Sequence, residues 1–126
     1  MRGADRVFSL YIREKYSLNG YVVCVTCGAK KSIKDIHAGH YIPRTHKSLR
    51  FNERNVHPQC SYCNTYLNGN LEEYKKYLIN RYGEEVISYL ESKKREIGKW
   101  GVYEFNKVKK KYEKKRNSKN HRRVVP

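Results

Sequence analysis

No stretch of this 126-residue chain stays apolar for long. Nothing approaches the ~20 apolar residues a membrane helix needs, so no membrane partner is expected. Met1–Tyr16 mixes charged and apolar residues and holds no apolar leader. Without a secretion signal the expected location is cytoplasmic, where thiols stay reduced. Hydrophobic residues make up only 38% of the chain. A core that small calls for a staple. No internal repeat is visible. Acidic residues are also scarce: 12 Asp and Glu face 28 Lys and Arg, a net charge of +16. Such an excess excludes a polycationic partner and favours a polyanion. The excess is uneven. From Lys93 to Pro126 there are 14 basic and 3 acidic residues, a net of +11, which leaves +5 for residues 1–92. That tail lacks the broad Leu, Phe and Trp face of a membrane-inserting helix, so nucleic acid is the better match.

Cysteine is confined to two Cys-x-x-Cys pairs, Cys24/Cys27 and Cys60/Cys63. Four thiolates at this spacing can close a tetrahedral shell around one structural Zn²⁺. In a reducing compartment metal binding outranks the rival disulfides.

The remaining pattern predicts an α+β chain. Residues 4–16 carry Val7, Phe8, Tyr11 and Ile12 at helical spacing. Tyr21–Val25 reads as a strand and residues 35–43 as a second, which Pro43 ends. Residues 44–55 form a basic loop. Asn55–Gln59 leads into the second cysteine pair, and Asn64 onward reads as helix until Asn68-Gly69-Asn70 interrupts. Helices are expected over 71–82 and 84–96, and a last one along Val102, Phe105, Val108 and Tyr112. Residues 117–126 have no apolar stripe and are expected to be disordered.

Named residues then carry a resemblance. His40 in Gly-His-Tyr-Ile-Pro, Asn55 before Cys60, and Cys60-Ser-Tyr-Cys63-Asn64 resemble the motif of treble-clef HNH nucleases. Asp5-Arg-Val-Phe-Ser9, Asp-x-x-Ala-Gly-His-Tyr at 35–41, Leu49–His57, Gln59-Cys60, Asn68–Leu71, Arg81-Tyr-Gly83 and Trp100 look like the phage NinG/Rap recombination nuclease family. The similarity spans about residues 5 to 117. It implies a zinc-stapled ββα core over 20–70, an N-terminal helix over 1–19, a helical DNA-binding or oligomerisation extension over 71–116, and a basic tail over 117–126. It also implies an endonuclease that cuts Holliday junctions and other branched DNA, in a host cytoplasm if a phage encodes it, with phage recombination proteins as candidate partners.

Within that frame His40 is the candidate general base, since a neutral His can take a proton from water near pH 7. Asn55 would bond across the loop and orient it. The bland alternatives are a packing His and a turn Asn. A catalytic Mg²⁺ or Mn²⁺ would be held through His37 and Asn64, with Asp35 in reserve. Gly39 stands where HNH proteins often carry a ligand, and the family tends to carry Asp at the place of His37. An imidazole there would favour Mn²⁺. His57 either lines the site or packs beside the knuckle. His46 and His121 carry no assigned role. Arg44, Lys47, Arg50 and Arg54 in the loop, and Lys109, Lys110, Lys111, Lys114 and Lys115 in the last helix, are candidate phosphate contacts. Tyr112 could stack on an unpaired base, though core packing is the commoner fate of such a stripe. A junction presents two equivalent strands, so a homodimer is the economical assembly, with its interface sought after residue 71. The readings left beside this one are a non-catalytic zinc-knuckle protein and an HNH nuclease without junction preference.

Overall fold

Val7, Phe8, Tyr11 and Ile12 form the buried stripe of the first helix, α1 (Arg2–Lys15). The computed structural model describes residues 2–97 and 100–118. After α1 come β1 (Tyr21–Val23), β2 (Lys30–Ser32), β3 (Ile36–His40) and β4 (Val56–Cys60). Three further helices follow: α2 (Leu71–Tyr82), α3 (Glu85–Lys94) and α4 (Val102–Arg116). The fold is α+β, with two antiparallel two-stranded sheets, β1–β2 and β3–β4.

The hairpin β3–β4 organises the molecule. Its register pairs Ile36 with Cys60, Ala38 with Pro58 and His40 with Val56. Side chains alternate along a strand, so Ile36, Ala38 and His40 share one face with Val56, Pro58 and Cys60. That face meets α1. Ile36, Val56 and Cys60 join Val7, Phe8, Tyr11, Ile12 and Tyr112 in one core. The other face carries His37, Gly39, His57 and Gln59, and Tyr74 of α2 packs there, its hydroxyl donating to Gly39 O at 2.6 Å. A second core gathers Ile42, Leu49, Tyr74, Leu78, Val86 and Leu90 from the β3–β4 loop, α2 and α3.

Two strands escape a reading of sequence. In β2, Lys-Lys-Ser has no apolar residue to bury. In β4, Pro58 lacks the donor a central strand needs, but a two-stranded sheet has only edges, where proline is tolerated. The carbonyl of Pro58 instead accepts from Val25 N at 3.0 Å, tying the hairpin to the first knuckle. The helix expected from Asn64 is one π turn over Tyr62–Tyr66, closed by Leu67 N to Tyr62 O at 2.8 Å. It stops because Asn68, Gly69 and Asn70 all take positive φ (52°, 97° and 47°).

The last helix does not extend away from the body. Lys109 lies over Gly3, Tyr112 packs on Phe8 and Tyr11, and Arg116 pairs with Glu14 at 2.8 Å, so α4 runs parallel to α1 and against it. Tyr112 is therefore core, 2% exposed, and not a platform for a base. Residues 119–126, with His121 and most of the expected basic tail, lie outside the described residues.

Candidate functional site

The four cysteine sulfurs lie within 4.8 Å of one another. Cys27 Sγ and Cys60 Sγ are 3.7 Å apart, close to the ~3.8 Å edge of a tetrahedron with Zn–S bonds of ~2.3 Å. All four cysteines are unbridged. The cluster could therefore hold one zinc ion. Local sequence sets it up. Gly28 takes φ +80° and donates its N–H to Cys24 O at 2.9 Å, closing the first knuckle. Burial pushes the Cys24 thiol up. Hydrogen bonds from the Thr26 hydroxyl and from backbone amides outweigh it and bring the thiol down to about 6. Gln59 supports this arrangement: its amide donates to Thr26 Oγ1 at 3.1 Å and to Gly69 O at 2.8 Å. Thr26 is thereby turned to donate to the Cys24 sulfur.

Gln59 also explains Gly39. A Cβ at residue 39 would lie 2.0 Å from Gln59 Oε1. The residue before His40 is glycine because the buried Gln59 side chain occupies the space a ligand there would need.

His40 closes β3 and lines a cleft of about 620 Å³ with Asp5, Arg6 and Ser9 of α1, Arg44 of the loop, and Asn64 of the π turn. Its Nε2 lies 2.8 Å from Arg50 O. A carbonyl only accepts, so Nε2 carries the proton and Nδ1 keeps the lone pair. No hydrogen bond occupies Nδ1 among the described residues. Burial holds the imidazole below the ordinary value of 6.5, against a raising effect from the Arg50 carbonyl. His40 is thus neutral near pH 7 and has a fixed tautomer.

The carbonyl that fixes it is itself held. Arg50 makes a two-point contact with Asp5, Nε to Oδ1 at 2.9 Å, which ties the loop to α1. Asn55, fully buried, accepts from Ile42 N at 2.8 Å and donates to Ile42 O and Leu49 O at 2.9 and 3.2 Å. One amide thus clips both ends of the loop that carries Arg44 and Lys47.

His37 is on the strand face opposite His40, and its Nδ1 accepts from the Asn64 amide at 3.0 Å. Asp35 is exposed, before β3. Among the described residues, the four cysteines are the one group of three or more His, Cys, Asp or Glu placed to hold a metal. His57 does not line the cleft. It is buried on β4's other face, with Tyr74 Oη 3.1 Å from Nδ1 and Tyr82 Oη 2.7 Å from Nε2. Tyr74 already donates to Gly39, so His57 Nδ1 donates to Tyr74, and Nε2 accepts from Tyr82. Burial first, then Arg81 and Lys15, push His57 down to about 3, so it stays neutral.

The basic candidates divide. Arg44 and Lys47 are exposed, Arg44 at the cleft. Arg54 stacks over Tyr89, 4.8 Å from the ring centre. Arg50 is committed to Asp5, and Lys115 pairs with Glu53 at 2.9 Å. Lys109, Lys110, Lys111 and Lys114 are exposed along α4. Sequence reading missed Arg6 and Ser9. Their signal was the polar side of an amphipathic α1, which says that they face outward but not that a cleft lies there.

A family model described as "Bacteriophage Lambda NinG protein" matches residues 1–122. The chain belongs to the NinG family. It is 36% identical to the protein ninG of Escherichia phage 933W over 116 residues, covering 91% of this chain and 55% of that protein. It is 34% identical to protein ninG of Escherichia phage lambda, covering 91% and 54%, and 33% identical to that of Salmonella phage P22, covering 91% and 55%. The chain spans about half the length of these NinG relatives. No solved structure matches it. No helix among the described residues is long and apolar enough to cross a membrane.

Proposed function

We propose that this NinG-family chain is an HNH-type endonuclease acting on branched DNA, with His40 as general base. The observation that carries the reading is His40 itself: neutral, its Nε2 locked to Arg50 O, its Nδ1 open, in a cleft that also holds Arg6 and Arg44. Phosphodiester hydrolysis needs a base for water and positive charge at the phosphate. Nδ1 would take the water's proton. Arg44 and Arg6 would hold the phosphate, and the exposed lysines of α4 would add sequence-independent affinity. Asn55 would act by holding the loop rather than by touching substrate.

A divalent ion, when bound, would supply Lewis-acid charge at the phosphate. His37 and Asn64 would offer it only neutral donors, and His37, on the strand face opposite His40, would first have to release its bond to the Asn64 amide. That set suits Mn²⁺ or another transition metal better than Mg²⁺, which prefers carboxylates. This thin donor set favours a second reading, a zinc-stapled protein that binds branched DNA without cutting it.

A labelled synthetic four-way junction, beside linear duplex at the same salt, separates the readings. With Mn²⁺ or Mg²⁺ added, the nuclease reading expects symmetric junction cuts with 5′-phosphate ends and little duplex cutting. Equal cutting of both substrates points to a nuclease without junction preference. Tight binding with no cutting in either metal favours the binding protein. Sedimentation on the junction shows whether two copies bind, as its two equivalent strands suggest.

A further inference from the structure

The π turn carries a pair of side chains that the cleft does not use. Tyr62 and Tyr66 stack with ring centres 5.1 Å apart and planes 15° from parallel. They are 56% and 75% exposed, and Leu67 and Leu71 beside them are exposed too. The two rings take the offset-parallel arrangement that aromatic pairs favour, while other pairs in this molecule meet edge to face. Side chains four residues apart lie on the same side of a helical turn, so positions 62 and 66 meet. The same turn sends Asn64 into the cleft, and Asn64 lies about half a turn from both tyrosines. The pair therefore stands on the outer side of the turn.

We infer that Tyr62 and Tyr66 form a stacking platform for an unpaired DNA base, on the turn whose other side lines the His40 cleft. A flat aromatic face accepts any base, and only unpaired or frayed bases present one. The surrounding charge fits the same occupant: the chain is +16 overall, and Arg6 and Arg44 line the cleft on the other side of the turn. Such a platform would make the protein sense branch points, where bases are loosely stacked. This rests on the reading of the chain as a DNA-acting protein, but not on its cutting DNA.

The test reads binding alone, with no divalent ion added, so a failure to cleave leaves it readable. Three probes are used at one salt concentration: a four-way junction, a single-stranded oligonucleotide and a linear duplex. The proteins are the wild type, the double variant Tyr62→Ala/Tyr66→Ala and the double variant Tyr62→Phe/Tyr66→Phe, each checked for zinc content and circular dichroism. The Ala pair should lose about 5-fold or more in affinity for the junction and the single strand, the loss expected for one base stack. Duplex affinity should change less than about twofold, and the slope of log K against log salt should stay the same, because no phosphate contact is removed. The Phe pair should bind like wild type. Equal losses on all three probes, no loss at all, or a Phe pair as weak as the Ala pair would overturn the inference. So would a wild type that prefers neither unpaired probe. Conversion of a dimer to a monomer by the Ala pair would show that the platform meets a second copy instead.

Discussion

At the scale of single residues, the proposed chemistry rests on two side chains. His40 must be neutral to act as a base, and burial holds it below 6.5. A base of lowered pKa stays active into mildly acid solution. Cleavage by the wild type should therefore keep its rate as pH falls through 6.5 and lose it only below. An acid limb centred at or above 6.5 in a single-turnover pH profile would contradict a buried base. Asn55 serves the same cleft from behind. Replacing it with Ala orphans one N–H and two carbonyls in a buried loop. That should cost about 3 kcal/mol of stability, roughly 1 kcal/mol or more for each backbone group, read from urea melts. His40 and Asn55 could be singled out from sequence because their motif is local. The roles of Gln59 and His57 could not. Gln59 matters through its approach to Gly39, and His57 through two tyrosines, Tyr74 and Tyr82, that lie 17 and 25 residues away in the chain.

At the scale of elements, α1, the β3–β4 loop and α4 are joined at one carboxylate. Glu53 accepts from Tyr11 and Lys15 of α1 and from Tyr112 and Lys115 of α4, at distances from 2.9 to 3.2 Å. Burial alone would raise its pKa; Lys115, Lys15 and the Tyr112 hydroxyl outweigh that and take it down to about 2. A carboxylate with a depressed folded-state pKa stabilises fully above its ordinary value of 4.5, and the stabilisation drains away as pH falls toward about 2. Wild type should thus exceed Glu53→Gln by roughly 2–3 kcal/mol at neutral pH, and the gap should close across that acid window. A gap that does not narrow in thermal melts between pH 5 and 2 would rule out the charged hub. Helical periodicity foretold α1, α2, α3 and α4 with ends close to those observed. It could not foretell that α4 returns to α1, because that pairing depends on Glu53, Phe8 and Tyr112, which no periodicity links. The strands β2 and β4 were hidden for the opposite reason: both are made by the knuckles and the hairpin, not by the β-propensity of Lys-Lys-Ser or Val-His-Pro-Gln-Cys.

At the scale of the whole molecule, two modest cores flank one hairpin, and the four cysteines pin β4 to the turn after β1. A structural zinc site contributes folding free energy directly, about 10 kcal/mol or more in small domains. Metal analysis should find one zinc per chain. Removing it with a chelator should abolish near-ultraviolet circular dichroism and DNA binding together, and restoring zinc should recover both. Retention of the folded signal after metal loss would mean that the thiol cluster is not the staple. The charge of +16 raised the expectation of a polyanionic partner at once, but the placement of that charge could not be read. Arg50 and Lys115 turn inward to Asp5 and Glu53, while Arg6, from the first helix, joins the cleft. The central claim is that His40 drives hydrolysis in that cleft. Its most direct test is single-turnover cleavage of a four-way junction by wild type and His40→Ala, with zinc content and junction affinity matched. The account predicts at least about a hundredfold loss of rate in the variant, at the low end of what a general base contributes, with binding intact. Equal rates in the two proteins would contradict it.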